Sequence, residues 1–149
     1  MEEIMQEKIS ADHLLYVSLK YTKTCDVIMN LLIRWRKMID TCIVQILKNA
    51  KKHGAVKEVS ENAIGRINEI KQLLKKDKNA LKTIDFFMML RKLESLDIER
   101  IGEFRKNVTL RVTFRGEDIN INLEKLKEYA EMLEQFIDMT KDRLKGDEE

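Results

Sequence analysis

The tetrapeptide "RWRK", Arg34 to Lys37, places the chain's single tryptophan among three cations. Guanidinium and ammonium groups grip phosphate, and an aromatic ring stacks on a base, so this cluster has the chemistry of a nucleic-acid contact. Arg34, Arg36 and Lys37 are therefore candidate contacts, and Arg111 and Arg115 in a later basic stretch join them. The competing reading puts Trp35 on the apolar seam of a helix, with Arg34 and Arg36 projecting sideways as solvated neighbours. The lysine-rich "KQLLKKDKNALK", residues 71 to 82, reads as a solvated basic loop.

Other reactive residue types lack partners at useful spacing. His13 and His53 have no cysteine or histidine nearby at the intervals a metal site uses. Cys25 and Cys42 fall at apolar positions and read as small buried hydrophobes. A nucleophilic cysteine needs a base beside it, and neither histidine is close in sequence. Asp85 and Glu94 supply carboxylates without a paired acid and base, and there is no glycine-rich phosphate loop. The sequence thus predicts no catalytic residue, no metal and no cofactor, and a non-enzymatic chain.

The charge is uneven. The net charge of +2 conceals +11 between Lys20 and Arg115, −6 from Gly116 to the end, and −3 over the first 19 residues. A basic body suits an anionic partner such as nucleic acid. Alternatively, the acidic last helix lies against that body and neutralises it.

The elements that must position these residues read mainly as α. Helix 1 is expected from the cap Ser10 to "KKHG", where Gly54 suits the left-handed position after a helix. Its seam steps by four and three through Leu14, Ser18, Tyr21, Cys25, Ile28, Leu32, Trp35, Ile39, Cys42 and Ile46. The segment "VIMNLLI" is apolar nearly all round, which predicts cover on several sides. "LLYVSLKYT" also alternates with period two, so a strand over residues 14 to 22 competes with helix there. An intact helix of this length would be about 60 Å long, far beyond a compact domain of 149 residues. It must break near the polar "KYTKT", or a second chain must cover its protruding part.

Helix 2 is expected over 60–76 and helix 3 over 79–94. "LDIERIGEFRK" then carries a helical stripe of Ile98, Ile101 and Phe104. "NVTLRVTFRGEDININ" reads as a β-hairpin over about 107–122, turning at Arg115-Gly116-Glu117-Asp118. Asn122 caps a last helix over 123–145. The expected fold is one domain, 1–149: a bundle of about four helices with a very long first helix and one hairpin. Residues 1–9 and 146–149 are expected to fray.

An isolated hairpin is marginal in water, and its edges carry unpaired backbone groups. Val108, Leu110, Val112 and Phe114 on one face thus suggest a homodimer built at the hairpin. No apolar run approaches a membrane span, the first residues lack a signal core, and two cysteines do not make a disulfide framework. A cytoplasmic protein is expected. Its first functional reading is an interaction module that dimerises or joins a larger assembly. The alternative is nucleic-acid binding through the basic region 20–115.

The order of a long first helix, a helical middle ending in "EFRKN" and a last amphipathic helix resembles the higher eukaryotes and prokaryotes nucleotide-binding (HEPN) domain. The resemblance covers about residues 11–145 and implies an α-helical, often dimeric domain with many ribonuclease members. Catalytic members carry an arginine followed four to six residues later by histidine. Here Lys48 precedes His53, and Arg105-Lys106-Asn107 has no following histidine. The resemblance therefore implies a degenerate domain without nuclease activity.

Overall fold

The computed structural model describes residues 1–145. Helix α1 spans Glu2–His13, runs on through a π-helical turn at Leu14–Ser18 and ends in a last turn at Leu19–Tyr21. Helix α2 spans Cys25–Lys52, α3 Ala63–Leu73 and α4 Lys78–Arg91. Strands β1 (Asp97–Ile101), β2 (Thr109–Phe114) and β3 (Glu117–Ile121) follow, and α5 (Leu123–Leu144) closes the described chain. The described residues are mainly helical, with five helices and a three-stranded antiparallel sheet in the order β1-β2-β3.

The single long first helix does not form. Thr22 leaves the helix in an extended conformation, and Thr24 restarts it as N-cap, accepting from the Val27 N–H at 3.3 Å. The polar "KYTKT" is thus a turn, and α1 folds back antiparallel on α2. The Met1 ammonium reaches the Gln45 Oε1, while Glu7 meets Arg34 and Lys37. Residues 1–9, expected to fray, are instead helical to Glu2, with Ile4 fully buried and Glu7 nearly so. The other expected frayed end, 146–149, lies outside the described residues. Residues 14–21 are helical, and the strand alternative there fails.

Helix α2 packs against α1, α3, α4 and α5, which explains its apolar circumference. Cys25, Ile28, Leu32, Trp35, Ile39, Cys42 and Ile46 are all buried. The seam does not extend to Tyr21, which is 78% exposed, because the chain breaks one residue later. Gly54 takes φ +81°, as expected just past the end of α2. Asn122 caps α5 by accepting from the Lys125 N–H at 2.8 Å.

The expected lone hairpin is part of a larger sheet. Arg115 (φ 53°) and Gly116 (φ 79°) form a two-residue turn of the kind that matches strand twist, so β3 begins at Glu117 rather than near Ile119. The missed strand is β1, which pairs Asp97 with Thr113 through Ile101 with Thr109. Val108, Leu110 and Val112 have no exposed surface. They belong to this chain's own core, and β2 is paired on both sides, so these residues do not offer a dimer interface. Phe114 is half-buried against the same core.

Candidate nucleic-acid interface

The "RWRK" cluster is dispersed by the fold. Trp35 is buried, edge-on to Phe86 (6.1 Å between ring centroids) and to Tyr129 (6.4 Å), so its indole is not free to stack on a base. Arg34 and Lys37 lie 3.3 Å and 3.1 Å from the carboxylate of Glu7. Burial pushes the Glu7 carboxyl up, but its hydrogen bonds to Lys37 and Arg34 outweigh that and hold it below the usual carboxylate range. Arg36 pairs with Glu94 at 2.8 Å and donates to the Leu90 carbonyl at 3.0 Å. Arg111 is spent on the outer face of the sheet, between Glu99 (3.1 Å) and Asn120 (2.7 Å). Arg115 sits at the hairpin turn with its guanidinium 4.8 Å from the Phe114 ring centroid. The five candidate cations therefore share no surface. Only Arg36 and Lys37 line one common cavity.

Much of the basic body is neutralised from within, and mostly not by α5. Its acids come from α1 (Glu7), the turn after α4 (Glu94) and β1 (Glu99), whereas the α5 residue Glu134 pairs at 2.7 Å with Lys8, outside that body.

A second constellation assembles at the end of the molecule where α1 turns into α2. Tyr16 (56% exposed) and Tyr21 stand out from the helix before the turn. Tyr16, Lys20, Lys23, Leu123 and Lys127 surround a depression of about 260 Å³. The Lys20 ammonium lies 5.8 Å from the Tyr21 ring centroid. The loop after β1 docks on the same turn, because the Phe104 N–H donates to the Lys23 carbonyl at 2.7 Å.

That bond fixes an unusual residue. Phe104 has φ 65° and is 77% exposed. The left-handed region is strained for a bulky side chain and is normally given to glycine or asparagine. Gly102 in the same loop has φ 66° and does require glycine, since a Cβ there would meet the Asn107 Oδ1 at 2.8 Å. Arg105 and Lys106 follow, both exposed. The carboxylates at this end are largely committed. Arg100 holds Asp26 at 2.7 Å and Glu103 at 3.5 Å, and Glu103 also accepts from the Cys25 N–H at 3.2 Å. Lys20, Lys23, Arg105, Lys106 and Lys127 have no carboxylate partner among the described residues.

Sequence reasoning missed this surface because Tyr21 and Phe104 fall on apolar periodicities and read as core. The cysteines, by contrast, behave as read. Cys25 donates to the Thr109 carbonyl, and burial first, then the neighbouring Glu103, pushes its thiol up to about 11. Burial pushes Cys42 up to about 12. Among the described residues no cluster of His, Cys, Asp or Glu could hold a metal ion, and no helix is long and apolar enough to cross a membrane.

A trough of about 560 Å³ lies between α4 and α5, lined by Phe86 and Tyr129, whose rings stack at 4.0 Å, and by Phe114 and Ile119. Compared with family models, with curated proteins and with solved structures, the chain matches none.

Proposed function

We propose that the chain is a non-enzymatic binding module for single-stranded nucleic acid, held at the aromatic end. The observation that carries this reading is Phe104. A solvent-facing ring at φ 65°, pinned by one backbone hydrogen bond, gives the fold little in return for its strain. Beside Tyr16 and Tyr21 it offers a π-face to an unpaired base, and the surrounding lysines and arginines offer charge to the phosphates. A duplex hides its base faces and fits less well. A membrane surface fits less well too, because interfacial binding uses the continuous apolar face of one amphipathic helix, whereas Tyr16 and Tyr21 lie on the first helical arm and Phe104 on a separate loop. The resemblance to the HEPN domain, lacking the arginine-to-histidine spacing, points the same way: binding without cleavage.

The test is fluorescence anisotropy with short oligo-U, oligo-dT and duplex probes over a salt series. Five cations at about 0.7 log units each set a salt slope no steeper than about −3.5 on the single strands. Reversing Lys20 and Lys23 to glutamate should remove binding, while Arg111→Glu should not. Single-strand binding that is absent in low salt, or equal in the lysine-reversed variant, refutes the proposal.

A second reading, homodimerisation, is favoured by Ile9, Tyr16 and Val17, which are exposed at helical spacing along the first helical arm. Light scattering of the wild type beside an Ile9→Lys variant tests it. A wild type that stays monomeric at high concentration removes it.

A further inference from the structure

Arg36, Lys37, Arg66 and Arg91 line, with Asp40, a cavity of about 420 Å³ bounded by α2, α3 and α4. Phe87, Ile33 and Ala63 supply its apolar wall. A volume of this size lies within the range of small-molecule sites. The side chains come from three helices, and their donors are unequally spent.

Arg36 and Lys37 are held by Glu94 and Glu7. Arg66 donates to the carbonyls of Glu61 (2.6 Å) and Ser60 (3.3 Å), which fixes its guanidinium against the loop before α3. That loop is itself locked. Glu69 accepts from the Ser60 N–H at 2.9 Å and from its hydroxyl, and a Cβ on Gly65 would come within 2.5 Å of Ser60. Asp40 stands 3.9 Å from Arg66, an ion pair too long for a hydrogen bond. The Arg66 Nε–H is therefore buried with no acceptor. Across the cavity, the Arg91 guanidinium has no carboxylate or carbonyl partner among the described residues.

A buried donor on a charged group without an acceptor is costly and uncommon in native proteins. Counting Asp40, Glu7 and Glu94 against the four cations leaves a surplus of positive charge at the cavity. Guanidinium forks match phosphate oxygens in geometry and charge. We propose that this cavity binds a small phosphate monoester with an apolar or aromatic body, of mononucleotide size. The uncommitted Arg91 guanidinium holds the phosphate, the Arg66 Nη2, 3.9 Å from Asp40, adds a second donor, and Phe87 and Ile33 contact the body. The site is separate from the aromatic end and does not depend on the strand-binding reading.

Isothermal titration calorimetry of the full chain with AMP, inorganic phosphate and adenosine tests this. AMP should bind saturably, phosphate more weakly, and adenosine not measurably. Arg91→Gln touches no internal ion pair and should weaken AMP by roughly 10- to 150-fold, the worth of a hydrogen bond to a charged group. Arg66→Lys, which keeps the charge but loses the fork, should weaken it too, with circular dichroism confirming the fold. Phe104→Gly should leave AMP binding unchanged. The proposal is overturned if neither AMP nor phosphate binds at millimolar concentration, if adenosine binds as well as AMP, or if Arg91→Gln binds AMP like the wild type.

Discussion

Replacing Phe104 by glycine separates stability from binding. At φ 65° a non-glycine residue carries about 1–2 kcal/mol of steric cost, which glycine recovers. Glycine adds back about 0.5–1 kcal/mol through the freer unfolded chain. The ring is 77% exposed, so about a quarter of its surface is covered; full burial of a phenylalanine is worth about 1.5–3 kcal/mol, and its share here is roughly 0.5 kcal/mol. These terms nearly cancel, and Phe104→Gly should lie within about 1 kcal/mol of the wild type in urea unfolding. Phe87→Ala, which removes a buried ring, should cost about 3–5 kcal/mol in the same assay. Affinity for oligo-U should meanwhile fall roughly 5- to 150-fold, the value of one stacked base. Phe104→Asn, tolerant of the same backbone, should behave like the glycine variant. A loss of more than about 2 kcal/mol would show that the ring supports the fold, and unchanged affinity would show that it does not meet the strand.

Leu32→Ala should cost about 2–5 kcal/mol, because Leu32 is fully buried in the helix that touches the four others; a loss under about 1 kcal/mol contradicts that packing. Glu7, whose carboxyl is held below its unfolded value, contributes stability that is full above the unfolded pKa and lost as pH falls through the folded one. Glu7→Gln should therefore be less stable than wild type at neutral pH, and the gap between their urea midpoints should close in acid. Cys25 and Cys42 stay protonated at pH 8, with thiols at about 11 and 12, so both should resist maleimide in the folded protein and react in urea; fast labelling of the native chain refutes the burial.

Local signals were legible where one residue settles the backbone. Asn122 and Gly54 end or start helices as their chemistry dictates, and Arg115-Gly116 turns the hairpin. Strand β1 was not legible. Ile98, Ile101 and Phe104 recur every third residue as on a helix, yet the segment lies at a sheet edge where four of its five residues are exposed, so no alternation marks it. The length of the seam called for a break near "KYTKT" or a covering second chain, and the choice stayed open because the seam resumes in phase at Cys25. Thr24 carried the cap signal, but a heptad running across it argued for continuity. The cavity was invisible for a different reason: Arg36, Arg66 and Arg91 are about equally far apart along the chain and meet only when α2, α3 and α4 pack.

The placement of the aromatic residues ties these strands of argument together. The chain has nine. Trp35, Phe86, Phe87 and Phe136 are buried, and Tyr129 and Phe114 are half-buried against the core. Tyr16, Tyr21 and Phe104 are each more than half exposed. One exposed ring on a protein surface calls for no explanation. Three at one end do, since Tyr16 shares a depression with Lys23 and the Lys23 carbonyl holds Phe104. Ion pairing sharpens the point. Arg34, Arg36, Lys37 and Arg111 are paired to acids, whereas Lys20, Lys23, Arg105, Lys106 and Lys127 have no acid partner among the described residues. Folding thus spends the conspicuous "RWRK" on internal neutralisation and leaves exposed rings and unpaired cations side by side at the other end of the first helical arm. Under the strand-binding proposal, that separation is why the aromatic end, rather than the tryptophan, is the surface to test against an unpaired base and its phosphate.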